Sequence, residues 1–259
     1  MTQLTCWMCG SEAKSAEHRL KKADIVRAYG RGPYSGAHRP MHVRSGKLTE
    51  IQGPNSRTIK YAPILCQTCN TTSTQPYDTA YDQFIDWVFE NESTVLRRRF
   101  IDFIDVFGAD FSKSQLDLYK YFAKSFGCRL VDADQVVPDD VRNLFAQEHF
   151  QTALRITFSV NEDILAMPLA DRQGFIGKGD LTAMPQRSDP TQIDGFIFSE
   201  HVSWFTTHYW YDLAPDGSLG ATWVADSQHV YLGSHEPLTP ELRTDMIQKL
   251  TTRRERSAT

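Results

Sequence analysis

The chain has 259 residues, 41% of them hydrophobic, enough for a good core and for two domains. Its charged content of 23% and net charge of −4 are ordinary for a soluble protein. No stretch approaches the length of a membrane span, and Met1-Thr2-Gln3-Leu4-Thr5 lacks the basic and apolar runs of a signal peptide, so a cytoplasmic protein is expected.

In chain order, the first element is Cys6-Trp7-Met8-Cys9, and its counterpart is Cys66-Gln67-Thr68-Cys69. Cys-x-x-Cys at a tight turn aims two thiolates at one ion, and two such turns close a four-sulfur shell. A redox pair needs a strand-to-helix setting and only one such motif. Two pairs in a chain of five cysteines point instead to one structural Zn²⁺ on Cys6, Cys9, Cys66 and Cys69. The long separation between the pairs is no obstacle, because closure entropy grows slowly with loop length. A reducing cytoplasm suits thiolates kept for zinc. Cys128, the fifth cysteine, reads as a small buried hydrophobe.

Glu17-His18 stands between the pairs, and Asn70 follows Cys69 directly. The stretch from Arg19 to Val26 predicts a short helix, and residues 30–63 are more than a simple hairpin needs. Tyr81, Phe84, Ile85 and Val88 then mark a helix at i, i+3, i+4, i+7 spacing. Leu96, Phe100, Phe103, Ile104 and Phe107 continue it on a second stripe, which Gly108 breaks. Ser112-Lys113-Ser114-Gln115 opens a third helix carrying Leu116, Tyr119, Phe122, Ala123 and Phe126, with Gly127 at its end. Pro138 opens a fourth, with Val141, Leu144 and Phe145 on one face.

Beyond residue 150 the period changes. Leu154–Val160 alternates, Gly195–Phe198 does so less cleanly, and residues 202–211 form a strand-favouring run. Asp216-Gly217 signals a turn before a strand at 221–225. Thr239-Pro240 starts a last helix with Leu242, Met246 and Leu250 facing inward, followed by a polar tail of Arg253, Arg254 and Arg256. His201 and His208, seven apart on a single strand, fall on opposite faces and are not joint ligands.

The order Cys-x-x-Cys, acid-His, Cys-x-x-Cys-Asn resembles the HNH, or ββα-metal, nuclease family in its four-cysteine zinc-knuckle version. The resemblance covers residues 1–75 through Cys6, Cys9, Glu17, His18, Cys66, Cys69 and Asn70. It implies that His18 is the general base and that Glu17 and Asn70 hold a divalent ion, Mg²⁺ or Mn²⁺, at the scissile phosphate. It also implies a purely structural zinc, a hairpin carrying the acid-His pair, and a helix that starts at the second knuckle. The residue types agree with this chemistry. Histidine titrates near neutrality and can take a proton from water. A hard ion prefers carboxylate and amide oxygens. The third family residue, often a His about two turns past the Asn, is not evident, and Asp78 or Asp82 stands in that region.

Charge is uneven. Residues 1–75 hold eleven Lys and Arg against four Asp and Glu, a net of +7, so the remainder carries −11 of the total −4. The basic part matches a nucleic-acid partner, with Lys21, Lys22 and Arg27 as candidate phosphate contacts. Arg97-Arg98-Arg99 reads as a solvated helix face.

The expected fold class is α+β. It comprises a zinc-bound, treble-clef-like ββα-metal module at 1–76, a helical section at 77–150, and a β-rich domain with a terminal helix at 151–259. The expected function is a metal-dependent endonuclease acting on nucleic acid, DNA before RNA. The alternative is a catalytically degenerate, zinc-stabilised protein that binds nucleic acid or protein. No membrane partner is expected, and the C-terminal domain would serve a homo-oligomer or a regulatory partner.

Overall fold

The computed structural model of the protein describes residues 5–35, 40–44, 47–146, 152–186, 188–212 and 227–258. Its N-terminal part is organised by an antiparallel ribbon. Isolated bridges pair Ser15 with Leu65 and His18 with Lys60. Tyr61 N–H donates to Glu17 O at 2.8 Å, and Arg19 N–H to Ile59 O at 2.8 Å. The second arm runs directly into α2 (Gln67–Asn70), whose N-cap is Cys66: its sulfur accepts from Cys69 N–H at 3.4 Å.

The chain between the two arms forms α1 (Lys22–Tyr29) and a hairpin of β1 (Met41–Arg44) and β2 (Lys47–Glu50). Ile25, Tyr34, Ile51 and Ile59 bury a small core of their own beneath it. The predicted helix at 19–26 begins later than expected because Arg19 still belongs to the ribbon.

The helices follow as α3 (Gln75–Glu90), α4 (Glu92–Arg98), α5 (Phe103–Phe107), α6 (Phe111–Asp132) and α7 (Asp139–Asn143). The second apolar stripe does not make one helix. Arg99 takes a left-handed conformation at φ 57° and ends α4. Phe100–Asp102 then forms β3, and the Asp102 side chain caps α5 by accepting from Ile104 N–H. Nor does Gly127 end the third helix, since α6 runs straight through it to Asp132. Leu118, Tyr119, Phe122, Ala123, Phe126 and Leu130 are all buried, as expected of a helix enclosed on most sides.

The C-terminal half contains β4 (Leu154–Asn161), α8 (Glu162–Leu165), α9 (Leu169–Arg172), β5 (Ile176–Lys178) and β6 (Thr182–Pro185). It continues with β7 (Ile193–Val202), β8 (Phe205–Asp212), β9 (His229–His235) and α10 (Pro240–Ala258). The large sheet has the order β3-β9-β4-β8-β7-β5, with β6 also on β7. Only β4 and β9 among these pairs run parallel. The run at 202–211 is a hairpin rather than one strand: Val202 pairs with Phe205 across Ser203-Trp204, and Ser203 has φ 52°. The turn at Asp216-Gly217 and the strand at 221–225 lie outside the described residues.

The core lies between α3 and α6 on one side and the inner face of the sheet on the other. Phe84 of α3 meets Phe158 and Phe205, and Phe122 of α6 meets Phe158 and Tyr209. Each ring of this size contributes about 1.5–3 kcal/mol by leaving water. One continuous cluster joins Cys6, Trp7, Leu65 and Cys69 to these helices and to the sheet, so residues from all three stretches share it. On α10, Met246 packs against this core but Leu242 is exposed, against expectation; the side chain of Leu250 lies outside what is described. No described helix is long and apolar enough to cross a membrane.

Candidate functional site

The four cysteines come together. Their sulfurs all lie within 4.8 Å of one another, and Cys9 Sγ and Cys66 Sγ are 3.7 Å apart. Four sulfurs about 2.3 Å from a zinc would be spaced about 3.8 Å. The backbone sets this up locally. Gly10, at φ +75°, donates its N–H to Cys6 O at 2.8 Å and turns the first knuckle. Ser11 lowers Cys9 to about 6 through hydrogen bonds, while burial raises Cys6 and Cys69. Four such sulfurs could hold a metal ion such as zinc. Cys128 is fully buried, and burial pushes its thiol up to about 12, as befits a structural cysteine.

Glu17 and His18 are adjacent on the first arm of the ribbon. His18 Nε2 lies 3.2 Å from Pro54 O. Burial first, then Lys60, holds its imidazole below the ordinary value, against the opposing pull of Glu17. Glu17 is not free: its Oε2 lies 3.0 Å from Lys124 Nζ of α6. The same ammonium is 3.2 Å from Thr74 Oγ1 and 3.6 Å from Asp78 Oδ2. Behind Glu17 and Lys124, lined also by Tyr81, Tyr121 and Glu200, is a cavity of about 30 Å³, room for about one water.

Asn70 ends α2 and its Nδ2 donates to Ser15 Oγ at 2.8 Å; its Oδ1 is buried with no partner. An amide oxygen in that position has the character of a ligand atom. The acid assigned to the same ion does not fit, because Glu17 already faces a lysine. Two unit charges 4 Å apart interact by about 4 kcal/mol at an effective dielectric constant near 20, so a divalent ion beside an ammonium is disfavoured by more than that. Among the described residues, the four cysteines form the sole group of three or more His, Cys, Asp or Glu able to share an ion.

The candidate phosphate contacts divide. Lys21 is paired with Asp78 and, at 3.7 Å, with Asp82. Arg27 is paired with Asp24 and Asp86. Asp24 is deeply buried, which pushes its carboxyl up to about 6 despite Tyr81 and Arg27. Lys22 is exposed at the start of α1, beside an open groove lined by Arg31, Gln52 and Asn55. Arg19, likewise in the basic part, makes a two-pronged pair with Asp132 at 2.5 Å and 2.5 Å. Arg19, Lys21 and Arg27 thus meet acids from beyond residue 75 in internal contacts, which uses up part of the positive charge of the N-terminal stretch.

Sequence reasoning missed the ion pairs of Lys124 and Lys178 with acids of other elements. Lys178 Nζ is 2.5 Å from Glu200, 2.6 Å from Ser125 Oγ and 3.2 Å from the Tyr61 hydroxyl. The available signal for Lys124 was a lysine set among Phe122, Ala123 and Phe126 in a helix. The histidines differ from expectation as well. The β7–β8 hairpin pairs His201 with Thr206 and Ser199 with His208, so both rings are on one face. They still do not share a ligand: His201 stacks on Phe175, and His208 Nε2 is 2.7 Å from Ser159 Oγ.

Comparisons with protein-family models, with curated proteins and with solved structures gave no match.

Proposed function

We propose that the chain is an endonuclease of HNH type, hydrolysing phosphodiester bonds in nucleic acid, DNA before RNA, with one structural Zn²⁺ on Cys6, Cys9, Cys66 and Cys69. The carrying observation is the position of Glu17-His18. The pair sits on one arm of a ribbon whose other arm leads through Cys66 into the short helix that ends at Asn70. A ribbon followed by a helix at the second knuckle is the arrangement that a ββα-metal module requires.

His18 supplies the base. Donation of its Nε2–H to the Pro54 carbonyl leaves the Nδ1 lone pair free to accept a proton from water. With its pKa held below the ordinary value, the ring is neutral at pH 7 and ready to accept. The resulting hydroxide attacks phosphorus, the bond from phosphorus to the sugar oxygen breaks, and that oxygen takes a proton from solvent water while the His18 imidazolium returns its own to solvent. Lys60, close enough to influence His18, and the exposed Lys22 supply positive charge for the phosphate. In the family a divalent ion neutralises the leaving oxygen; since Glu17 is held by Lys124, no step is assigned to one here.

The same ion pair favours a second reading, a zinc-stabilised binding protein whose nuclease centre is closed. Nicking of supercoiled plasmid by zinc-loaded protein, with Mg²⁺, with Mn²⁺ and with EDTA, separates the two. Cleavage lost in His18→Ala supports the nuclease. Absence of cleavage on single- and double-stranded substrates in every condition leaves the binding protein.

A further inference from the structure

The residues around Glu17 already contain a cation. An ammonium has three donors, and three oxygens surround that of Lys124: Glu17 Oε2 at 3.0 Å, Thr74 Oγ1 at 3.2 Å and Asp78 Oδ2 at 3.6 Å. The Lys124 side chain is 4% exposed, so the group is not a surface lysine that happens to lie near an acid. Lysine is rarely buried without a charged partner, and here two carboxylates outweigh the cost of burial and hold the ammonium charged. Asp78 turns its other oxygen to Lys21, so both carboxylates that reach Lys124 are committed to cations of the chain itself.

These acids come from different elements. Glu17 lies on the ribbon, Asp78 in the first turn of α3, and Lys124 in the middle of α6. Two separate segments, the ribbon and the start of α3, bring oxygens to one positive charge on a third, as they would to a bound metal. Asp78 also stands in the region where the third family residue was sought.

We propose that Lys124 is the resident cation of the Glu17 site, occupying the position that HNH resemblance gives to a divalent ion. Glu17 is then a carboxylate that Lys124 orients beside His18, not a metal ligand, and Lys124 is a positioning residue. The inference rests on the reading of Glu17-His18 as the reacting pair, but its test does not depend on cleavage.

The experiment is Mn²⁺ uptake by the full zinc-loaded chain, followed by the electron paramagnetic resonance signal of free Mn²⁺. Wild type and Glu17→Gln should give the same titration. Lys124→Met, which keeps length and removes charge, should gain one Mn²⁺ per chain, and Glu17→Gln in that background should abolish the gain. Lys124→Arg should exclude Mn²⁺ as wild type does. A Mn²⁺ bound by wild type and lost in Glu17→Gln overturns the proposal, and that comparison stands even if Lys124→Met does not fold. A folded Lys124→Met that takes up no Mn²⁺ also overturns it. Failure of the nuclease reading shows separately, as absence of plasmid nicking with this pattern of uptake intact.

Discussion

Trp7 of the first knuckle lies against Gly127 in the middle of α6, so close that a β-carbon on Gly127 would stand 2.5 Å from the indole. The glycine is there to admit the ring, and the ring fixes the cysteine turn to the central helix. Gly127→Ala should cost about 1–3 kcal/mol, the usual penalty for overpacking, although alanine is the better helix former. Thermal unfolding would register it. Combined with Trp7→Leu, the loss should be smaller than the sum of the two single changes, because the variants share one contact.

Metal analysis should return one zinc per chain. Cys66→Ser should remove it and lower the melting temperature of the whole protein in one transition, since the cysteines belong to the same core as the sheet. A chain that keeps its melting temperature after complete chelation contradicts this.

His18→Ala should lower cleavage about 10²–10⁴-fold with zinc content and fold unchanged. Because the pKa of His18 is held down, the base form persists below neutrality. The pH at which the rate is halved should therefore lie below the ordinary histidine value of about 6.5. A half-rate point above about 6.5 would identify a different base.

The two adjacent lysines should behave differently. Lys22 is exposed, so Lys22→Ala should weaken nucleic-acid binding on every sequence and reduce the log-log salt slope by about one. Lys21 is engaged by Asp78 with only 14% of its side chain exposed, so Lys21→Ala should act on stability instead. Equal effects of the two on binding would show that Lys21 leaves Asp78 when nucleic acid arrives.

His208 makes the fold acid-sensitive. Burial, then His235, lowers it to about 4. As pH falls below about 6.5 the unfolded chain takes up a proton that the folded ring refuses until about pH 4, so stability is lost across that window. Between pH 7 and 4.5 this amounts to about 2 kcal/mol. Urea unfolding of wild type and His208→Gln at both pH values should show that difference in favour of the variant at the lower pH.

Much of this architecture was legible in the sequence, and the failures have physical causes. Paired cysteines and the i, i+4 apolar pattern of α3 depend on local spacing, and both were read correctly. The breaks inside the apparent runs were not. Arg99 and Ser203 adopt positive φ without being glycine, so no residue type announced the end of α4 or the β7–β8 turn. Gly127 was misread in the opposite sense, as a terminus, because the ring that needs its space lies 120 residues earlier. The Glu17–Lys124 pair was hidden for the same reason: a lysine among aromatics shows its purpose only when a distant acid is known to face it.

The two arms of the ribbon are held by their own backbone bonds, and everything from Leu20 to Thr58 leaves and re-enters at that point. The excursion packs Ile25, Tyr34 and Ile51 against Ile59 of the ribbon in a small core. Pro54, which holds the His18 ring, and α1, which pairs with α3, also belong to it, so the part open to change is the fully exposed strand β2 (Lys47–Glu50). That strand is the natural place on this protein to carry an affinity handle without disturbing the residues around His18.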